Sequence, residues 1–269
     1  MSVFVQIVRI LFLVAVCCSG AYADSHPSGF SLAVGSDGAE TPGNQDVSEN
    51  KSENRALPRL AYSNLTDRSQ EHTTLFPGPF GLETIIALRS EVSAKWAELQ
   101  SRILAEERTL AACRSGDGPC PAAARRFMSI IELGLQRQGR ARLGEINRAV
   151  NLSIKPMSDW AQYGVDDFWA APLAALSNRA GDCEDYAIVK YVALHKSGIV
   201  PDDLRLVIVR DINRQTNHAV LAVRYEEEWL ILDNRTMVMV NAEQARHYYP
   251  LFVLDHRSVR TFATATVRH

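Results

Sequence analysis

Cys183, His218 and Asp233 are the residues in this sequence whose types and spacing fit nucleophilic chemistry. Cys183 follows Gly181-Asp182 and precedes Glu184-Asp185-Tyr186, after which Ala187 to Leu194 run largely apolar. That is the pattern of a turn opening into a helix. A thiol at a helix N-terminus meets unpaired backbone N–H groups and the positive end of the helix dipole, and both favour the thiolate. His218 begins an apolar strand after the polar turn Asn213 to Asn217, and Asp233 ends the next strand. Antiparallel neighbours joined by a short turn bring the start of one beside the end of the other. A lone cysteine is more often a small buried hydrophobe, and a lone histidine or aspartate at a strand end is usually solvated. The order Cys-helix, His-strand, Asp-strand makes the three a candidate triad: Cys183 as nucleophile, His218 as base, Asp233 orienting the imidazole.

Asp182, Glu184 and Asp185 crowd acidic charge around the thiol. Like charge nearby disfavours a thiolate and opposes what the helix terminus supplies. A hard cation with oxygen ligands cancels that penalty, so calcium is expected here, with Asp182 and Glu184 as leading ligands and Asp185 as a third. Asp185 has a second reading, as a group that caps or orients helix N–H donors, and acids favour a helix N-terminus in any case.

These residues need elements to hold them. The chain has 269 residues, 46% hydrophobic and 22% charged, with formal net charge −2. This suffices for a substantial core and excludes collagen-like, coiled-coil and wholly disordered classes. Near-neutral charge speaks against a dedicated nucleic-acid binder. Residues 1–23 read as a cleaved signal peptide: a short segment to Arg9, an apolar core from Ile10 to Cys18, and the small-x-small motif Ala21-Tyr22-Ala23. The expected location is the periplasm, with no membrane span in the mature chain. Residues 24–74 read as a flexible polar leader, and 75–269 as the folded domain.

Of five cysteines, Cys17 and Cys18 leave with the signal. Cys113 and Cys120 flank a turn-rich spacer and are expected to bridge. Cys183 remains. A helix is expected over about 82–112, from Val92, Trp96, Leu99 and Ile103. A second spans about 121–138, with Phe127, Ile130, Ile131 and Leu135 on its apolar face, and a third carries Leu143, Ile146 and Val150. The stretch 156–172 reads as an aromatic loop, in which Trp160 or Trp169 could wall a cleft. After the Cys183 helix come strands at Leu204–Val209, Ala219–Tyr225, Trp229–Leu232 and Leu251–Leu254. The order implies an α+β fold, with N-terminal helices and the Cys-helix packed on an antiparallel meander.

Gly181-Asp182-Cys183-Glu184-Asp185-Tyr186-Ala187-Ile188, preceded by Asp167-Phe168-Trp169-Ala170-Ala171-Pro172, resembles the bacterial transglutaminase-like cysteine proteinases. His218-Ala219-Val220-Leu221-Ala222 and Leu230-Ile231-Leu232-Asp233-Asn234 resemble that family's other two blocks, and the likeness covers about residues 75–255. It implies a papain- or transglutaminase-like fold, a Cys-His-Asp triad and a calcium requirement. It implies a substrate, a large surface adhesin cut near its N-terminus at a site with paired alanines, so that cells leave a biofilm. It also implies inhibition by an inner-membrane receptor responsive to cyclic-di-GMP. The polar leader and the Cys113–Cys120 loop match no feature of the family. The same triad order serves transglutaminases, where an amine replaces water, and an inactive binding module could retain the trio as scaffold.

Overall fold

The computed structural model describes residues 75–87 and 90–263. The expected signal peptide and leader lie outside the described residues. Short strands β1 (Phe76–Pro77) and β2 (Glu83–Ile86) precede three helices, α1 (Glu91–Ser115), α2 (Ala122–Leu135) and α3 (Gly139–Ser153). Then come β3 (Lys155–Pro156), α4 (Asp159–Tyr163), α5 (Pro172–Asn178), β4 (Ala180–Gly181) and α6 (Cys183–Lys196). The C-terminal part holds β5 (Leu204–Asp211), β6 (Thr216–Tyr225), β7 (Glu228–Leu232), β8 (Val240–Asn241), β9 (Tyr248–Leu254) and β10 (Val259–Phe262). Among the described residues no helix is long and apolar enough to cross a membrane.

The first helix starts later than its apolar stripe suggests. Glu83–Ile86, with two adjacent isoleucines, pairs with β10 as a strand, Arg260 opposite Ile86 and Phe262 opposite Thr84. Ser90 then caps α1, its hydroxyl accepting the Ser93 N–H at 3.1 Å. Gly116, at φ 76°, ends the helix in the left-handed conformation that glycine adopts at least cost. The Cys113–Cys120 disulfide closes the connection to α2, with Cα atoms 4.7 Å apart. The stripes otherwise face the core as their spacing implies: Val92, Trp96, Leu99, Phe127, Ile130, Ile131, Leu143, Ile146 and Val150 are buried. Leu135 is not among them; at the last position of α2 it is exposed. The 156–172 stretch is less irregular than expected, since Ser158 caps the short α4 and Pro172 opens α5.

Eight strands form one antiparallel sheet in the order β1-β2-β10-β9-β5-β6-β7-β8. β5, β6 and β7 make the expected meander, but β9 returns to the far side of β5 and brings β10, β2 and β1 with it. Alternation along β6 divides two cores. Ala219, Leu221 and Val223 join the large cluster formed with the helices, while Val220 and Ala222 join a smaller one with Val207, Val209, Ile231 and Tyr248. Helix α6 lies between the other helices and this sheet, packing on α2, α3 and α5 and on β5 and β6. Its residues from Cys183 to Leu194 are buried without a break, which is why no amphipathic stripe shows in its sequence.

Candidate functional site

The entry into α6 is built tightly. β4 pairs in parallel with β3, Pro156 opposite Gly181, and the chain turns into the helix at Asp182. Asp182 makes no side-chain cap bond. Asp185, three residues on, turns its carboxylate back over the start of the helix, where Oδ1 accepts the Ala170 N–H at 2.8 Å. Asp185 thereby lies directly over Gly181. A Cβ there would stand 2.8 Å from the Asp185 Cβ and closer still to Oδ2, so only glycine fits. Cys183 occupies the first position of the helix, fully buried, with its Sγ donating to Glu184 Oε2 at 3.2 Å.

His218 and Asp233 meet across the β6–β7 ladder. Leu221 stands opposite Leu232, so continuing that register by one residue places Asp233 opposite Val220, diagonal to His218 on the same face. The His218 Nε2 and Asp233 Oδ1 are 2.9 Å apart. The Arg235 N–H donates to the same Oδ1 at 3.0 Å, and the Tyr248 hydroxyl donates to Oδ2 at 2.5 Å. Burial pushes the Asp233 carboxyl up, but the His218 hydrogen bond and charge, then Tyr248 and the Arg235 N–H, outweigh it and hold it below the usual carboxylate range. From α3, Asn151 Nδ2 donates to the Asp233 carbonyl at 2.9 Å. With Nε2 committed to Asp233, His218 Nδ1 is buried and has no hydrogen-bond partner. His218 lines a small cavity with Asp167, Trp169, Glu184, Ile208, Asn217 and Ala219.

A second constellation lies beside the thiol. Asp159, Asp182 and Glu184 each present an oxygen within 4.8 Å of the others, all three buried. Asp159 comes from the first turn of α4, where its Oδ2 accepts the Phe168 N–H. Burial raises the Asp159 carboxyl to about 6 and Glu184 to about 7. It raises Asp182 far more, with the charge of Glu184 adding to the effect. Asp185 is raised well above normal by burial and then by Glu184. Asp167 adds negative charge to both Asp159 and Glu184 and is itself paired with Lys95. Three carboxylate oxygens, Asp159 Oδ1, Asp182 Oδ1 and the neighbouring Asp185 Oδ2, are buried with no hydrogen-bond partner. Such a group of oxygens, crowded, dehydrated and short of donors, suits a hard divalent cation.

The expected site residues therefore fall into two sets. Cys183, Asp182 and Glu184 sit together at the head of α6, and Glu184 and His218 line the same cavity. His218 and Asp233 form a direct pair. Asp185 lies outside the oxygen cluster; its Oδ1 accepts the Ala170 N–H and its Oδ2 is buried with no hydrogen-bond partner. Asp159 and Tyr248 were not anticipated. Ser158 before Asp159 is a helix-cap signal that could have drawn attention to the first; nothing local marks the second. Of the two tryptophans near the site, Trp169 is buried in the cavity wall and Trp160 is 68% exposed.

Among solved structures, LapG from Legionella pneumophila is similar at 24% identity and TM-score 0.48, covering 58% of this chain and 86% of that one. Its calcium-bound form aligns at 22% identity and TM-score 0.49, over 60% and 91%. Its EGTA-treated form aligns at 22% and 0.48, over 59% and 89%. No match was found among curated proteins. The family model of the bacterial transglutaminase-like cysteine proteinases matches residues 110–255, more than half of the chain. That span takes in the head of α6, the His218 and Asp233 strands, Asp159 and Tyr248, and the chain belongs to this family of bacterial transglutaminase-like cysteine proteinases.

Proposed function

We propose that this protein is an exported, calcium-dependent cysteine endopeptidase of the periplasm. It cuts a large surface adhesin near the adhesin's N-terminus, so releasing cells from a biofilm, and an inner-membrane receptor responsive to cyclic-di-GMP holds it inactive. The observation that carries the peptidase reading is the buried His218–Asp233 pair with its second imidazole nitrogen unpartnered, beside the helix terminus that bears Cys183. His218 Nδ1 takes the thiol proton, and the Cys183 thiolate attacks the scissile carbonyl. The Cys183 N–H, at a helix position with no intrahelical acceptor, stabilises the oxyanion. The leaving amine departs with the proton from His218, and water then hydrolyses the thioester with His218 again as base. Asp233 holds the imidazole and stabilises its charged form.

Asp159, Asp182 and Glu184 hold the calcium ion, whose charge offsets the carboxylates that otherwise oppose a thiolate. The substrate, the receptor and the compartment rest on family membership and on the sequence of residues 1–23. The test incubates the purified protein with the N-terminal segment of a candidate adhesin, with calcium or with excess chelator, and maps new termini. One new terminus is expected with calcium, none in chelator, and none with a folded Cys183→Ala variant. Cleavage by Cys183→Ala ends the thiol mechanism, full cleavage in chelator ends the metal role, and incorporation of a labelled amine without fragments replaces hydrolysis by acyl transfer.

A further inference from the structure

Asp233 has a third side-chain partner whose presence depends on a defect in the sheet. β9 lies centrally, between β10 and β5, yet contains Pro250, which cannot donate to a ladder. The register shows how it is accommodated. Ile208 pairs with Phe252, but Val209 pairs with Pro250, so Leu251 is an extra residue, a β-bulge. Beyond the bulge Asp211 pairs with Tyr248. An unbroken register would set Tyr249 opposite Asp211, and the two tyrosines would exchange faces. With the bulge, Tyr249 is 60% exposed and Tyr248 is buried, its ring against His218 and His247 and its hydroxyl 2.5 Å from Asp233 Oδ2.

The carboxylate is therefore held at both oxygens. His218 Nε2 and the Arg235 N–H meet Oδ1, and Tyr248 meets Oδ2. A carboxylate held at one oxygen alone can rotate about its χ2, which is a soft torsion. The Tyr248 donor removes that freedom and keeps Oδ1 aimed at the imidazole. We propose that Tyr248 is a positioning residue of the Cys183–His218–Asp233 site, acting through Asp233 to fix the orientation of His218. The inference rests on the catalytic reading of those three residues. The Tyr248 hydroxyl keeps its proton, since burial and then the Asp233 charge raise it above the ordinary phenol range, so it serves as a donor.

The test is a mutant cycle on the calcium-loaded, full-length protein, with cleavage of an adhesin segment as the assay. Tyr248→Phe removes the hydroxyl and keeps the ring. It is expected to lower kcat about tenfold with KM changed less than about twofold, the signature of a group that orients the reacting residues rather than the substrate. Asp233→Ala lowers kcat further, and adding Tyr248→Phe to it has no additional effect, because the residue Tyr248 acts through is gone. The low-field proton resonance of the His218–Asp233 hydrogen bond is expected to shift in Tyr248→Phe. If Tyr248→Phe does not fold, Tyr248→Met, which also removes the hydroxyl and keeps apolar bulk, carries the same comparison. A wild-type kcat in folded Tyr248→Phe, or a fully multiplicative loss in the double variant, overturns the inference. Wild-type activity in Asp233→Ala or His218→Ala overturns instead the catalytic reading on which it stands.

Discussion

Gly181→Ala is a single-methyl perturbation aimed at the turn that presents Cys183. The new Cβ would stand 2.8 Å from the Asp185 Cβ and 3.0 Å from its Cγ, against a neighbour that cannot give easily. Asp185 is fully buried and tied by Oδ1 to the Ala170 N–H. Relief therefore requires either a backbone shift or release of that donor. Overpacking of this kind costs about 1–3 kcal/mol, and each buried N–H left unmet costs about 1–3 kcal/mol. The sum is about 2–5 kcal/mol, because backbone movement and bond loss are alternatives in part. For a domain of this size that lowers Tm by about 5–15 °C. Gly118→Ala is the matched control. Its Cβ would find only the Ala112 Cβ, at 3.4 Å, and the change should stay within about 0.5 kcal/mol. The assay is thermal unfolding by circular dichroism together with the rate at which an electrophilic peptide labels Cys183. Gly181→Ala should lose stability and label more slowly, since Asp182 and the first turn of α6 move with the clash. A variant with the wild-type Tm and labelling rate would refute the view that Asp185 locks this turn.

Three further outcomes follow from the same geometry. In chelator, the folded protein binds more protons than the unfolded chain between about pH 5 and 7, because burial raises Asp159 to about 6 and Glu184 to about 7, so stability should fall as pH rises through that window. Buried Lys190, pushed down to about 7, adds an opposite slope only above it; calcium should abolish the fall by holding the carboxylates ionised, and chemical denaturation at fixed pH steps, with and without the ion, decides. Replacing both Cys113 and Cys120 by serine opens a loop of sequence separation 7 and should cost about 2.5 kcal/mol in the chain-entropy account, read by urea unfolding. Glu184 accepts the Cys183 thiol at 3.2 Å and is also a proposed calcium ligand, so alkylation of Cys183 by iodoacetamide should be faster with calcium than in chelator; equal rates would show that the carboxylate does not serve both roles.

Elements defined by contiguous pattern were legible in the sequence, and elements defined by distant partners were not. β5, β6 and β7 sit within a few residues of their alternating or β-branched runs, and α6 begins at the expected cysteine. β2 falls where the first helix is expected to begin, at about residue 82, and what makes it a strand is its pairing with β10, more than 170 residues away. The return of β9 to β5 is equally silent, since a short apolar run carries no mark of which edge it will join. Leu135 was misplaced for the converse reason: its spacing suits the buried face, but α2 ends there and nothing lies beyond to cover it.

The site divides along the same line. Cys183, Asp182 and Glu184 share one turn, and His218 and Asp233 share one hairpin, so each group could be read from short-range spacing. Asp159 and Tyr248 enter through tertiary packing, one from the capped turn of α4 and the other from a bulged strand on the far side of β5. Asp185 shows what helix geometry adds to composition. The sequence already sets Asp185 apart from Asp182 and Glu184 by its second reading as a cap; its third helical position faces back toward the helix start, where Oδ1 meets the Ala170 N–H, while the cap and second positions face α4. The consequence is a division of labour forced by helix geometry. Asp185 meets the Ala170 N–H and fills the space over Gly181, and Asp182 and Glu184 are left dehydrated and crowded by Asp159. Burying them weakens the fold at neutral pH in the absence of a cation, and that same weakness is what gives a cation its hold on the turn bearing Cys183.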